Sequence, residues 1–154
     1  MDKEFIPYAE ALALYKIGYQ RYSGFGGWLK KQGQKPREIT TFEELDMTIE
    51  EKDHHGYAPR ILWQQAFSWF REKHQLYGVI SIQFENEYEG MEEKEFFEYI
   101  GYVFDLEQMR KDKIDILPYV GIGTGGFDIS ADTYEEAQLA CLQQLIKLVK
   151  DDRS

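Results

Sequence analysis

The glycines Gly121, Gly123 and Gly126 match G-x-G-x-x-G. That spacing places backbone amides around a dinucleotide pyrophosphate when it joins a strand directly to a helix. Here the next helical pattern begins only near Thr133, and no Lys-Ser or Lys-Thr follows Gly126. The segment therefore reads as a glycine turn and not as a nucleotide loop. Asp53, His54 and His55 are of metal-ligating types. Adjacent side chains in an extended chain point apart, the only other histidine is His74, and a catalytic zinc takes three protein ligands. A solvated loop is the expectation there. Cys141, the single cysteine, excludes an internal disulfide. It lies in an apolar row with no adjacent base, so it reads as a small core residue rather than a nucleophile. There is no G-x-S-x-G elbow.

Two charged stretches remain. Between Lys16 and Arg37 the chain carries Lys16, Arg21, Lys30, Lys31, Lys35 and Arg37 and no acid, interleaved with Tyr19, Tyr22, Phe25 and Trp28. Cations and aromatics together are what a single-stranded nucleic acid requires. A structural hairpin whose cations pair with the acids between Glu43 and Asp53 accounts for the same residues. From Glu85 to Glu98, seven glutamates face one lysine, Lys94. This stretch reads as a solvated connection, and in a sharper reading as a surface for a basic partner through residues such as Glu92 and Glu93. With so many acids, no carboxylate pair of the glycosidase kind can be singled out.

The whole chain narrows these choices. It has 154 residues and a formal net charge of −10, with 43% hydrophobic and 16% aromatic residues. That composition supports an apolar core and opposes a general role in coating nucleic acid or docking on an anionic membrane. No apolar run approaches the ~18 residues of a spanning helix. The first residues, Met1 to Pro7, lack the apolar region of a secretory signal. A cytoplasmic protein with no membrane partner is expected.

The elements that must position these residues follow from periodicity. Tyr8, Ala11, Leu12, Tyr15 and Tyr19 share one face of a helix expected over Pro7–Ile17, with Gly18 as its stop. A short hairpin or loop is expected over 20–37, and a short helix over Phe42–Glu51 behind a Thr41/Glu44 capping box. A second long helix is expected from near Pro59 to His74, with rows Leu62, Ala66, Phe70 and Trp63, Phe67. Ile80, Ile82 and Phe84 alternate with polar residues as a half-buried strand. A glutamate-rich connection over 86–95 leads to a strand over Phe97–Asp105. A weak edge strand, interrupted by Pro118, is expected over Ile114–Ile122. The last helix begins near Thr133, capped by Ser130 or Asp132, and carries a row of Tyr134, Ala137, Cys141, Leu145 and Leu148, widened by Leu142, Ile146 and Val149. The expected fold is α+β: a single two-layer domain over 1–154, its small antiparallel sheet covered by helices. Trp63, Phe67, Phe70, Leu142, Leu145 and Ile146 should meet over the sheet face bearing Ile80, Ile82 and Phe84.

Three segments also carry a resemblance. They are Ala9–Gly18 (AEALALYKIG), Pro59–Lys73 (PRILWQQAFSWFREK) and Thr133–Leu142 (TYEEAQLACL). In this order they resemble uncharacterised small α+β proteins of Bacteroides-type bacteria and their phages or mobile elements. The resemblance implies a mobile-element setting and no activity. In the C-terminal half, strands followed by the TYEEA helix resemble the HicB-type antitoxin domain, which blocks a toxin ribonuclease.

No acid–base or nucleophile constellation satisfies the requirements of a catalytic site. The expectation is a non-catalytic protein without cofactor or metal that acts through protein–protein contacts, its partner a protein of basic character and a homodimer being compatible. The alternatives are an antitoxin-like inhibitor of a toxin ribonuclease, or a single-stranded nucleic-acid binder through Lys16–Arg37. The candidate binding residues are Arg21, Tyr22, Trp28, Lys30 and Lys31 in the basic stretch, and Glu92 and Glu93 in the acidic one.

Overall fold

The computed structural model describes residues 3–20, 24–89, 92–111 and 127–152. Within them the fold is α+β, with two three-stranded antiparallel sheets. The backbone forms two compact units, one up to Trp69 and one from Phe70 to Asp152.

The first unit opens with α1 (Tyr8–Lys16), with Pro7 at its N-cap and Ile17 at its C-cap. Gly18 follows at φ 104°, where a left-handed residue ends a helix without Cβ strain. Strands β1 (Gly27–Leu29) and β2 (Arg37–Ile39) pair antiparallel, as a hairpin over this stretch requires. The third strand, β3 (Ala58–Pro59), pairs with the other edge of β1, giving the order β2-β1-β3. Two glycines shape β1. Gly26 has φ 73°, and a Cβ there would collide with the Ile39 carbonyl oxygen. At Gly27 a Cβ would stand 2.5 Å from the Tyr57 ring, so its absence lets that ring lie against the strand.

Two expected helices change their bounds. The stretch expected as one helix over Phe42–Glu51 is two, α2 (Thr41–Asp46) and α3 (Ile49–His54), divided at an extended Met47. The capping residue is Thr40 rather than Thr41. Its Oγ1 accepts from the Glu43 N–H at 3.2 Å while the Glu43 carboxylate accepts from the Thr40 N–H at 2.7 Å. Thr48 and Glu51 repeat the motif at 3.2 and 2.8 Å. Two capping boxes eight residues apart demand two helix starts, because each cap holds its residue in extended backbone. The second long helix, α4 (Trp63–His74), starts later than Pro59. Proline disfavours helical backbone at the residue before it, and Ala58 and Pro59 are used as an edge strand, where the missing N–H costs no ladder bond. The core of this unit is Ile6, Ala11, Leu14, Ile17, Tyr19, Ile39, Tyr57, Ala58, Ile61, Ala66, Phe67 and Trp69.

The second unit takes the end of α4 and the sheet β4-β5-β6. Strands β4 (Leu76–Glu89) and β5 (Glu92–Asp105) form one long hairpin, from Leu76 opposite Asp105 to Glu89 opposite Glu92. The acidic stretch expected as a connection is therefore ladder. Phe84, Tyr88, Phe96 and Phe97 lie among its glutamates and supply strand propensity, and Glu87 stands opposite Lys94. A helical turn, α5 (Leu106–Lys111), follows. Strand β6 (Phe127–Ala131), which periodicity did not announce, pairs with β5 from Tyr99 opposite Ala131 to Val103 opposite Phe127. The expected edge strand over 114–122 and the Gly121–Gly126 turn lie outside the described residues.

The last helix, α6 (Tyr134–Asp152), packs on all three strands of this sheet. Its cap is Thr133, whose Oγ1 accepts from the Glu136 N–H at 3.2 Å, rather than Ser130 or Asp132. Ala137, Cys141, Leu142, Leu145, Ile146 and Val149 are buried with Phe70, Leu76 and Val103. The register puts Leu76, Ile80 and Ile82 on one face with Val103 and Tyr99, and Tyr99 meets Tyr134 edge-on at 6.3 Å. The helical cover does not reach the whole of that face: Ile82 is 60% exposed. Trp63 and Phe67 belong to the first unit.

Candidate functional site

The inside of α2 carries an acid. Thr41 and Glu44, three positions apart, turn inward on the helix, while Phe42, Glu43, Leu45 and Asp46 are exposed. Glu44 is only 5% exposed. Its Oε1 accepts a hydrogen bond from the Tyr57 hydroxyl, and its Oε2 is buried with no hydrogen-bond partner. The Tyr57 hydroxyl is pushed well above the ordinary tyrosine value by burial, then by the bond to Glu44, the charge of Glu44 and the neighbouring Tyr15.

Aromatic and charged side chains surround this pair. Tyr15, from α1, meets the Tyr57 ring edge-on at 5.3 Å. Its hydroxyl is also raised, by burial and then by the charge of Asp53. Lys52 Nζ lies 4.7 Å from the centre of the Tyr57 ring. Together with Lys16, Tyr19, Gln20, Ile49, Asp53 and Pro59 these residues line a cavity of about 610 Å³ within the first unit. Nothing in the sequence marked Tyr57, and Glu44 was expected as the partner in a Thr41 capping box, a role that Glu43 takes with Thr40.

The same two helices expose large apolar side chains, of which Ile49 also borders the cavity. Phe42 is 80% exposed, Leu45 65% and Ile49 74%. They stand among the exposed acids Glu43, Asp46, Glu50 and Glu51.

The residues singled out from sequence are distributed otherwise. Arg21 and Tyr22 lie outside the described residues. Trp28, half-buried in β1, meets the Tyr8 ring edge-on at 6.4 Å and has the Arg60 guanidinium 5.9 Å from its centre. Arg60 also lies 4.2 Å from the Phe5 ring and pairs with Glu38 at 3.3 Å. Lys30 Nζ lies 5.5 Å from the Tyr8 ring, and the Tyr8 hydroxyl donates to the Gly56 carbonyl at 2.7 Å. Of the aromatics of the basic stretch, Trp28 thus already has one of the chain's own cations near its ring. Lys31 is exposed. Glu92 and Glu93 are placed at the far end of the β4–β5 ladder, opposite Glu89 and Tyr88, and the structure does not bring them together with the basic stretch in one unit.

Cys141 is buried, and burial pushes its thiol up to about 11. His54 closes α3 and His55 is its C-cap, their rings edge-on at 5.1 Å. Among the described residues no group of three His, Cys, Asp or Glu side chains is gathered to hold a metal ion, and no helix is long and apolar enough to cross a membrane. Compared with protein-family models, with curated proteins and with solved structures, the chain matches none, and its functional reading rests on its own residues.

Proposed function

We propose that this protein is non-catalytic and acts through protein–protein contacts, in the mobile-element setting that its sequence resemblance implies. The observation that carries the reading is the outer face of α2 and α3. Three large apolar side chains, Phe42, Leu45 and Ile49, stand in solvent within one short segment while the acid Glu44 is turned inside. Clustered exposed apolar side chains with a polar rim are the anatomy of a docking surface. The rim here is acidic, with Glu43, Asp46, Glu50 and Glu51, so the partner is a protein that presents an apolar centre and basic margins. The engagement of Trp28 with Tyr8 and Arg60 disfavours the stacking that single-strand binding requires.

A photo-crosslinking amino acid placed at position 42 in the full chain, in its native cells, tests this. The expected result is a discrete adduct with a basic protein, lost when Leu45→Glu and Ile49→Glu are introduced. Adducts no more specific than those from exposed position 64 would overturn the reading.

A further inference from the structure

We infer that the cavity floored by Glu44 and Tyr57 is a recognition site for an organic cation, an alkylammonium or guanidinium group. Buried polar atoms in folded proteins are almost always hydrogen-bonded. Glu44 Oε2 is buried and accepts no bond, although its residue lines a cavity large enough for a small ligand. A carboxylate is an acceptor only, so the group that completes it is a donor, and a cationic donor makes the stronger bond. The walls agree with that charge. Tyr15 and Tyr57 contribute aromatic rings, and aromatic faces attract ammonium and guanidinium groups. The chain itself shows that the Tyr57 face holds a cation, because Lys52 Nζ already sits 4.7 Å from its centre. Asp53 adds a second acid to the lining, against the two lysines Lys16 and Lys52.

Lys52 is therefore the internal competitor of the guest. A ligand cation takes the place over the Tyr57 ring that Lys52 now holds, with Glu44 beside it. Two sources supply this chemistry, a free small amine and the lysine or arginine side chain of a basic protein. The inference stands whether or not α2 and α3 dock a protein.

The test is titration of the full chain with n-butylammonium, with argininamide and with neutral 1-pentanol, followed by NMR. Both cations should shift resonances of Tyr15 and Tyr57, with intermolecular contacts from the butyl protons to those rings, and 1-pentanol should not. Glu44→Gln, which keeps an acceptor for the Tyr57 hydroxyl, should weaken cation binding at least about tenfold, as loss of a charge-assisted bond does. Lys52→Ala should tighten it, an outcome that a merely structural role for the cluster would not produce. A capped lysine peptide that binds more tightly than n-butylammonium, with the gain lost in Phe42→Glu, identifies a protein side chain as the source. Equal or weaker peptide binding identifies a free amine. No cation-dependent shifts in the wild-type chain, or equal affinity in a folded Glu44→Gln variant, would overturn the inference. If Glu44→Gln fails to fold, the wild-type intermolecular contacts and the direction of the Lys52→Ala effect decide it.

Discussion

Tyr57 donates its phenolic hydrogen bond to the buried carboxylate of Glu44, thirteen residues upstream, and so ties the chain just before β3 to the inner face of α2. Removing the hydroxyl leaves both carboxylate oxygens without a donor. Tyr57→Phe should cost ~1–3 kcal/mol, the penalty for a stranded buried acceptor, which is a drop of ~2–4 °C in Tm per kcal/mol at this chain length. The same bond gives an alkaline limb. Below pH ~10 this phenol is protonated in folded and unfolded chains alike, and its contribution is full. Above that, the unfolded chain releases the proton while the folded chain, with its raised hydroxyl, retains it. Stability should therefore fall as pH rises past the ordinary tyrosine range, and less steeply in Tyr57→Phe. Chemical denaturation at a series of alkaline pH values checks both the sign and the variant.

The position of the first capping box separates two adjacent threonines. Thr40→Ala removes the acceptor for the Glu43 N–H and should cost ~1 kcal/mol. The Glu43 carboxyl, which the Thr40 backbone N–H, above all, holds below the usual carboxylate range, should rise only in part, because alanine keeps that N–H. Thr41→Ala should cost less, since alanine is the better helix former inside α2. Equal losses in urea midpoint for the two variants would contradict the observed cap.

The partial cover of the β4-β5-β6 sheet makes two apolar residues unequal. Leu145, on the inner face of α6, is wholly buried, and Leu145→Ala should cost ~2–5 kcal/mol. Ile82 lies on the face that α6 covers but is 60% exposed, and Ile82→Ala should stay within ~0.5 kcal/mol. Thermal denaturation of both variants measures the contrast, and comparable losses would place Ile82 in the core.

Much of the fold was legible because local rules agree with one another. The 3.6-residue apolar rows of α1 and α6, the proline before α1 and Gly18 after it leave few alternatives for those segments. The alternation at Ile80 and Ile82 was a strand in either reading. Local rules lost where two of them competed. Capping boxes at Thr40 and Thr48 divided one expected helix into two, and Pro59 entered an edge strand instead of opening a helix. The glutamates of 85–98 read as a connection by charge, yet their aromatic neighbours and a continuous antiparallel ladder make them strand.

The sequence by itself determined the α+β class, the net charge of −10, the burial of Cys141 and the absence of a familiar catalytic motif. These depend on composition or on periodicity within one segment. Only the tertiary structure decided that Glu44 faces inward beneath Tyr57, that Phe42, Leu45 and Ile49 face outward, and that Trp28 is held between Tyr8 and Arg60. Which side of a six-residue helix is buried depends on what packs against it. For α2 that neighbour is Tyr57, thirteen residues from Glu44 in sequence, and no pattern local to Thr41–Asp46 contains it.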